Sequence, residues 1–287
     1  MGIHNESQIS EIVDLALRED LGDGDHTSLS TVPSGATGRA KLLVKDNGVL
    51  AGVELAQYIF NRLDPSLNIE ILIKDGTQVK KGDIAFHLEG ASRSILSSER
   101  LVLNFMQRMS GIASKTYELA KLIEDLPTQL LDTRKTTPCV RLMEKWAVRI
   151  GGGNNHRFAL YDMIMIKDNH VDYAGGIKNA IERANAYLVE QKKDLKIEIE
   201  TRNMNEVEQV LAVGGVDRIM LDNFTPKEVA EALTIINRSE YETEASGGIN
   251  AETIRAYAET GVDYISSGAL THSYQSLDLS LKAEFDF

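Results

Sequence analysis

The chain has 287 residues and a formal net charge of -12, with 43% hydrophobic and 26% charged residues. These proportions are ordinary for a globular protein, the acidic balance argues against a nucleic-acid-binding surface, and no apolar run approaches the ~18 residues of a membrane span. The single cysteine, Cys139, excludes an internal disulfide and a cysteine-rich metal site. The first residues, MGIHNESQISEIV, have neither the basic region nor the apolar run of a signal peptide, so we expect a cytoplasmic protein.

The first ~110 residues mix helical and strand patterns. Apolar spacing predicts a helix over Ser7–Glu19, and the turn sequence Asp46-Asn47-Gly48 predicts a hairpin of strands Arg39–Val44 and Val49–Val53. Two more strands are predicted over Ile69–Ile73 and Ile84–Leu88. A long amphipathic helix is predicted over Ser97–Glu124, and it could break at Ser110-Gly111. We therefore predict an α+β domain over residues 1–110, onto which the C-terminal segment could pack back.

After Asp125 a pattern of short apolar strand, polar end and helix repeats six times. The predicted strands are Gln129–Asp132, Met163–Lys167, Lys196–Glu200, Arg218–Asp222, Tyr241–Ser246 and Tyr264–Ser267. Predicted helices include Gly176–Glu190, Asn205–Val213, Pro226–Ile236 and Ala251–Thr260. Repeated βα units give a parallel sheet, either closed or open. Six units are too few for a standard eightfold barrel of ~250 residues, so for residues 111–287 we favour an incomplete, about six-stranded α/β barrel over a doubly wound sheet.

Side chains alternate between the two faces of a strand, and here the faces differ in character. In KIEIE the residues Lys196, Glu198 and Glu200 share one face, and in RIMLD the same holds for Arg218, Met220 and Asp222. The aliphatic face is expected to pack on the outer helices, which directs the charged face into the barrel, where isolated charges are costly. An internal ion-pair network is therefore the simpler interpretation of Lys196, Glu198 and Arg218.

The last charged residue of each strand is interpreted differently, because α/β barrels build active sites at the carboxyl ends of their strands. We predict functional roles there for Arg134, Lys167, Glu200 and Asp222. Two glycine-rich turns, Ser246-Gly247-Gly248 and Ser267-Gly268-Ala269, follow the last two strands, where backbone N–H groups can bind a phosphate. The two carboxylates suit a divalent cation that prefers oxygen ligands.

The stretch Asp132–His170 concentrates positive charge beside a glycine triplet. It holds seven Lys/Arg and two His against four Asp/Glu, a surplus of three positive charges in an acidic chain. This pattern indicates a pocket for a small, multiply charged anion. Together with the phosphate turns and the carboxylates, it suits a phosphorylated sugar and a carboxylate-bearing partner.

Specific motifs run through the chain from end to end. They are EDLGDGDHTS, VLAGV, SSERLVLNFMQRMSGIAS, DTRKTTP, GGGNNHRF, LYD, IKDNH, EIE, LDNF, SGGI and GVDYISSGALTHS. On these motifs the chain resembles the quinolinate phosphoribosyltransferase family, also called carboxylating nicotinate-nucleotide pyrophosphorylases. The resemblance implies an N-terminal α/β sandwich, an incomplete α/β barrel and usually a homodimer. It also implies transfer of phosphoribosyl from phosphoribosyl pyrophosphate to quinolinate, with loss of CO₂ and pyrophosphate, to give nicotinate mononucleotide for NAD synthesis.

The resemblance also implies residue roles. Catalytic roles fall on Lys135, Lys167, Glu200 and Asp222, of which Glu200 and Asp222 would also hold Mg²⁺, directly or indirectly. Arg100, commonly supplied by the neighbouring subunit, would join the quinolinate pocket. The implied substrate-binding residues are Arg100, Thr133, Arg134, Lys135, His156, Arg157, Lys167, Glu200, Asp222, Ser246, Gly247, Gly248, Ser267, Gly268 and Ala269.

Three other functions stay open at this stage. A related phosphoribosyltransferase could use another acceptor, such as nicotinate. A Schiff-base lyase could use Lys167 as its nucleophile. The segment DGTQVKKGDIAFHLEG is similar to the hairpin of lipoyl- or biotin-carrier domains, although it lacks an exposed lysine at the top of a carrier-type turn.

Two single residues also stand near the motifs. His170 could bind an anion or only close a turn. Cys139 has no evident activating base and is assigned no catalytic role.

Overall fold

The computed structural model describes residues 6–284 of the chain. The strands are β1 Thr37–Val44, β2 Gly48–Val49, β3 Asn68–Ile71, β4 Gln78–Val79, β5 Ile84–Ala91, β6 Gln129–Leu131, β7 Ile164–Ile166, β8 Ile197–Thr201, β9 Arg218–Asp222, β10 Glu242–Ser246, β11 Tyr264–Ser266 and β12 Leu279–Glu284. The helices are α1 Glu6–Leu21, α2 His26–Thr31, α3 Val53–Leu63, α4 Ser92–Lys121, α5 Arg141–Ile150, α6 Asp168–Ala174, α7 Ile177–Gln191, α8 Met204–Val213, α9 Pro226–Ile235, α10 Ile254–Ala258 and α11 Ala269–His272. Among residues 6–284, no helix combines the length and the apolar character that crossing a membrane requires.

The chain folds into two compact units that interleave along the sequence. Within the described residues, unit 1 comprises 6–117, 136–152 and 271–284, and unit 2 comprises 118–135 and 153–270. The predicted domain boundary after residue 110 divides the sequence once, whereas these units interleave, and the predicted boundary remains a proposal.

Unit 1 is built on a four-stranded sheet in the order β12-β1-β5-β3, with antiparallel pairing throughout. Strand β12 pairs with β1 from Arg39 opposite Glu284 to Val44 opposite Leu279. Helix α3 packs on this sheet through Phe60, whose ring makes an edge-to-face contact with Phe86 of β5 at a centroid distance of 5.8 Å. Both rings are fully buried. A helix layer on an antiparallel sheet is the α+β arrangement that was predicted.

The predicted hairpin of Arg39–Val44 with Val49–Val53 is wrong. Strand β2 pairs instead with β4, and a helix, α3, begins at Val53. The chain enters this helix through Gly52 at φ 95°, a left-handed conformation that favours glycine. Asp75 then accepts hydrogen bonds from the backbone N–H of Val53 at 2.8 Å and of Glu54 at 3.2 Å. These bonds come from a residue far along the chain, so the local pattern of β-branched residues did not reveal them.

Helix α4 continues without a break through Ser110-Gly111. Glycine is required at position 111 by close packing, because a Cβ there would clash with the backbone oxygen of Gln275. Ser110 is fully buried, and its hydroxyl donates to the backbone oxygen of Ala51. The pair of small residues therefore marks a close approach of backbones within unit 1 and not a kink.

Unit 2 contains a six-stranded parallel sheet in the order β6-β11-β10-β9-β8-β7. All six predicted strands are present, with ends that differ from the prediction by a residue or two. The sheet has β6 and β7 as its two end strands, and this order confirms the predicted six-stranded incomplete barrel. The aliphatic residues of one face, such as Ile199, Ile219 and Leu221, are fully buried. Because all six strands run in one direction, their carboxyl ends lie at a single edge of the sheet.

Candidate active site

Four predicted site residues lie at the carboxyl edge of the sheet in unit 2. Glu200 is the penultimate residue of β8, Asp222 is the last residue of β9, and Lys167 directly follows β7. Lys167 Nζ lies 3.2 Å from Glu200 Oε2. Lys135, which follows β6, acts electrostatically on Asp222. The structure therefore brings together the four residues to which the resemblance assigns catalysis.

The carboxylates at this edge repel one another. Burial raises the pKa of Glu200, the ion pair with Lys167 opposes that shift, and the charges of Asp222 and Asp168 add to it. Burial likewise raises the pKa of Asp222, with Lys167 opposing and Asp168 adding. Glu200 and Asp222 thus share the cation Lys167, and Lys135 acts on Asp222 as well. The carboxylate oxygens of Glu200 and Asp222 still repel one another, and such oxygens are suitable ligands for a divalent cation such as Mg²⁺.

Two arginines of the basic stretch are close enough to interact. Burial lowers the pKa of Arg157, and repulsion from Arg134 lowers it further. Arg157 Nη1 donates to the backbone oxygen of Met163 at 3.0 Å, which fixes the direction of its guanidinium. Next to Arg134, the Thr133 hydroxyl accepts from the Lys135 backbone N–H at 3.0 Å. Two guanidinium groups held against their mutual repulsion are suited to a ligand with more than one carboxylate.

His156 is buried and faces the interior of unit 2. Its Nε2 lies 2.9 Å from Glu198 Oε2 and 3.4 Å from Glu244 Oε2. Burial lowers the pKa of His156, but the two carboxylates outweigh burial and raise it to about 9. The Arg157 backbone N–H donates to Nδ1 at 2.6 Å, which instead favours the neutral ring. The carboxylates act on Nε2 and the amide acts on Nδ1. Nε2 therefore carries a proton in both the neutral ring and the imidazolium. The second proton of the imidazolium, on Nδ1, would displace the Arg157 amide.

The predicted internal ion-pair network exists, but its members differ from the prediction. Glu198 and Arg218 belong to it, with Arg218 Nη1 4.0 Å from Glu198 Oε2 and 3.0 Å from Glu244 Oε2. Lys196 was placed inside the barrel, and this is wrong, because its side chain is 58% exposed. It still belongs to the network, since Glu242 pairs with Lys196 at 3.2 Å and with Arg218 at 2.9 Å. Lys196 precedes β8, so the alternation of a regular strand does not govern its direction.

Glu244, which is fully buried in β10, was not predicted from the sequence. The signal was present, because Glu242 and Glu244 alternate with Thr243 and Ala245 as the charged residues of β8 and β9 do. His156, Glu198 and Glu244 also place one donor atom each within 4.8 Å of one another, an arrangement that could hold a metal ion.

The two glycine-rich turns are neighbours because β10 pairs with β11. Ser246 Oγ accepts a hydrogen bond from Ser266 Oγ at 3.1 Å, and the buried Ser267 hydroxyl donates to the backbone oxygen of Ile249 at 3.2 Å. Gly247 has φ 100°, and a Cβ there would clash with Asn223 Oδ1 and lie 2.9 Å from the Asn223 backbone nitrogen. The predicted phosphate-binding residues lie in these turns, at the same edge as Asp222: Ser246, Gly247, Gly248, Ser267, Gly268 and Ala269.

The remaining candidates lie elsewhere or have structural contacts. Arg100 is exposed on helix α4 in unit 1. His170 Nδ1 accepts from the Lys167 backbone N–H at 2.9 Å, which closes the first turn of α6. Cys139 is exposed in unit 1 at φ 67°. The cap formed by His170 explains the DNH sequence without a ligand.

A parallel α/β sheet whose carboxyl edge gathers lysines, carboxylates and glycine turns is the architecture of an enzyme that binds small charged metabolites. The family model for the C-terminal domain of quinolinate phosphoribosyl transferase matches residues 112–282, and that for its N-terminal domain matches residues 25–110. The chain belongs to the quinolinate phosphoribosyltransferase family.

Named relatives agree over nearly the full chain. A nicotinate-nucleotide pyrophosphorylase (carboxylating), chloroplastic, from Oryza sativa subsp. japonica is 45% identical over 98% of this chain and 79% of its own length. A probable nicotinate-nucleotide pyrophosphorylase (carboxylating) from Bacillus subtilis is 40% identical over 96% of this chain and 94% of its own. The crystal structure of NadC from Streptococcus pyogenes superposes with a TM-score of 0.92 at 38% identity and covers both chains fully. Because the rice relative is chloroplastic, the predicted cytoplasmic location stays a prediction.

Proposed function

We propose that this chain transfers phosphoribosyl from phosphoribosyl pyrophosphate to quinolinate, with release of pyrophosphate and CO₂, to form nicotinate mononucleotide. Relatives with 40–46% identity carry the names of this activity. The observation that carries the proposal is the meeting of Lys135, Lys167, Glu200 and Asp222 at one edge of the parallel sheet.

In this proposal the arginines bind the acceptor. Quinolinate is a dianion, and the forked guanidinium groups of Arg134 and Arg157 match its carboxylates. Lys167 would hold the ring from the neighbouring strand, and His156 would border the pocket. Arg100 would complete the pocket from the neighbouring subunit of a homodimer, as is common in the family.

The phosphoribosyl donor would lie over the glycine turns and the carboxylates. Backbone N–H groups of Ser246–Gly248 and Ser267–Ala269 would bind the 5′-phosphate. Glu200 and Asp222 would hold ribose hydroxyls and Mg²⁺, directly or through water. When bound, Mg²⁺ supplies positive charge to the pyrophosphate oxygens.

The reaction separates charge in a way that these residues can stabilise. Departure of pyrophosphate leaves positive charge at the anomeric carbon of the ribose, which the carboxylates Glu200 and Asp222 would stabilise. Lys135 would stabilise the negative charge of the leaving pyrophosphate. Bond formation to the ring nitrogen makes that nitrogen cationic, so it can accept the electron pair released with CO₂, and a proton then replaces the carboxylate.

The test is pyrophosphate release from phosphoribosyl pyrophosphate and Mg²⁺ by the purified full-length chain. We expect release that depends on quinolinate and is absent with nicotinate. Release with nicotinate but not with quinolinate would favour a phosphoribosyltransferase with another acceptor. Borohydride trapping of Lys167 with a carbonyl substrate would instead favour a Schiff-base lyase.

A further inference from the structure

A charged cluster lies inside unit 2, below the predicted active-site edge. The inner cluster consists of His156, Glu198, Arg218 and Glu244. Glu198 precedes Glu200 by two residues on β8, and Glu244 precedes Ser246 by two residues on β10. Each step of two residues along a strand keeps the same face and spans ~7 Å. The inner carboxylates are therefore one layer beneath the edge that carries Glu200 and Ser246.

The contacts in the inner cluster converge on one ring nitrogen. Both carboxylates are fully buried and lie within 3.4 Å of His156 Nε2. Arg218 supplies their counter-charge, with Nη1 3.0 Å from Glu244 Oε2, and its guanidinium lies 4.1 Å from the centre of the Tyr264 ring. The carboxylate of Glu244 and the ring of Tyr264 therefore fix the guanidinium of Arg218, and Arg218 in turn fixes the carboxylates.

Stability alone does not account for this cluster. Removing charges from water is costly, and a buried ion-pair network can often be replaced by packed apolar residues with little loss of stability or with a gain. On the opposite face of the same strands, the buried residues Ile199, Ile219 and Ala245 show that this sheet packs apolar side chains well. A network retained in such a setting suggests a role in fixing the geometry of a particular group.

The group that the cluster fixes is the His156-Arg157 segment. The two carboxylates lie beside Nε2 and favour a proton on it, which leaves Nδ1 as the acceptor for the Arg157 backbone N–H at 2.6 Å. From the other side, the buried carboxylate of Asp132 accepts from the His156 backbone N–H at 2.8 Å. The orientation of the imidazole thus determines where the Arg157 main chain lies.

We propose that Glu198 and Glu244, held by Arg218, are positioning residues that orient His156 and through it place Arg157 for the carboxylates of the acceptor. This inference rests on the proposed function, in which Arg157 binds quinolinate. The alternative for the same three side chains, a metal ion held by His156, Glu198 and Glu244, is less well supported because Arg218 already supplies positive charge there.

The kinetic test compares a positioning change with a matched change on the same ion network. Glu198→Leu removes the acceptor nearest to Nε2 and is expected to raise KM for quinolinate about tenfold, with KM for phosphoribosyl pyrophosphate unchanged. Glu198→Gln keeps an acceptor and is expected to restore the wild-type KM.

The control is Glu242→Leu, since Glu242 pairs with Arg218 at 2.9 Å and is not among the carboxylates at His156. Equal KM values for quinolinate in wild type and Glu198→Leu, or an equal rise in Glu242→Leu, would overturn the proposal. If Glu198→Leu does not fold, Glu244→Leu takes its place.

A second readout does not depend on activity. Nitrogen NMR of the six histidines, with His156 assigned from a His156→Gln variant, reports which ring nitrogen carries the proton. We expect the Nε2–H form in the wild type and its loss in Glu198→Leu, together with a shift of the Arg157 amide signal. Unchanged signals would contradict the proposal, and so would a shift of the His156 signal on addition of Zn²⁺, which would reveal a metal site. An inactive wild type with the expected spectra would disprove the proposed function, and with it the acceptor role of Arg157, whereas the orientation of His156 by the two carboxylates would still hold.

Discussion

Lys167 Nζ lies 3.2 Å from Glu200 Oε2, so the charged ends of two adjacent parallel strands meet in an ion pair. The lysine is 46% exposed and the glutamate 10%, which leaves the lysine open to a ligand. We expect Lys167→Ala to lower kcat/KM at least ~100-fold, because it removes the cation that would hold the quinolinate ring in the proposed function. Lys178→Ala is the control, since Lys178 makes a similar but solvent-exposed pair with Glu182 on α7, and it is expected to retain wild-type kinetics.

Lys135 is expected to act on the leaving pyrophosphate. Lys135→Ala should lower kcat about 100-fold or more with a smaller change in KM, because the charge that it stabilises develops in the transition state. Stopped-flow measurement of pyrophosphate release checks this. Lys196→Ala, which removes a half-exposed lysine remote from the carboxyl edge, should leave kcat unchanged. Near-normal turnover in Lys135→Ala would remove this residue from the mechanism.

Two adjacent glycines give a matched test of the phosphate turn. A Cβ at Gly247 would clash with Asn223 Oδ1, whereas a Cβ at Gly248 meets no atom within 4 Å, although both residues have positive φ. Gly247→Ala is therefore expected to raise KM for phosphoribosyl pyrophosphate at least tenfold. Gly248→Ala is expected to cost only the ~1–2 kcal/mol of backbone strain in the free energy of unfolding. A wild-type KM for phosphoribosyl pyrophosphate in Gly247→Ala would show that the turn does not bind the donor.

The buried carboxylate at Glu200 should lower stability in a pH-dependent manner. Burial raises its pKa above the ordinary value of 4.5, so the ionised form is less stable in the folded chain than in the unfolded chain. That destabilisation is absent at pH values below the unfolded pKa and is complete above the folded pKa. Glu200→Gln should therefore raise Tm by about 1–3 °C at pH 8, with a difference that shrinks toward pH 4, while activity is lost. A difference that grows on acidification would contradict the sign of the shift.

Arg100 is the predicted contribution of a neighbouring subunit, and complementation tests it. Arg100→Ala and Lys135→Ala should each be inactive alone. Mixed dimers that contain one of each chain should recover activity, because one of their two sites then has both residues intact. Equal mixing and exchange of subunits should give up to about a quarter of the wild-type rate, measured as pyrophosphate release. No recovery after verified exchange would place Arg100 in the same subunit's site or outside it.

The parts of the fold that sequence could predict are those governed by local alternation. The repeated strand and helix patterns of unit 2 predicted all six strands, and the positions of Glu200 and Asp222 at their ends followed from strand direction. In unit 1 the start of helix α3 depends on Asp75, which lies 22 residues from Val53. Interactions over such separations leave little local signal, and for this reason the helix was not predicted and its first residue, Val53, was assigned to a strand.

The site shows the same division between local and long-range information. The residues at the strand ends were predicted from their order in the chain. His156 was predicted as a substrate-binding residue, but its contacts with Glu198 and Glu244 were not predicted, because these carboxylates lie 42 and 88 residues later in the chain. Glu244 was missed although its strand has the same alternation as β8. A consistent search for charged residues on the interior face of every strand would have found it.

The most direct test of the account uses quinolinate labelled with ¹⁴C in the 2-carboxylate. With phosphoribosyl pyrophosphate and Mg²⁺, the chain is predicted to release one labelled CO₂ for each nicotinate mononucleotide and each pyrophosphate formed. Pyrophosphate release with the label retained in the nucleotide product, or no quinolinate-dependent release at all, would contradict it.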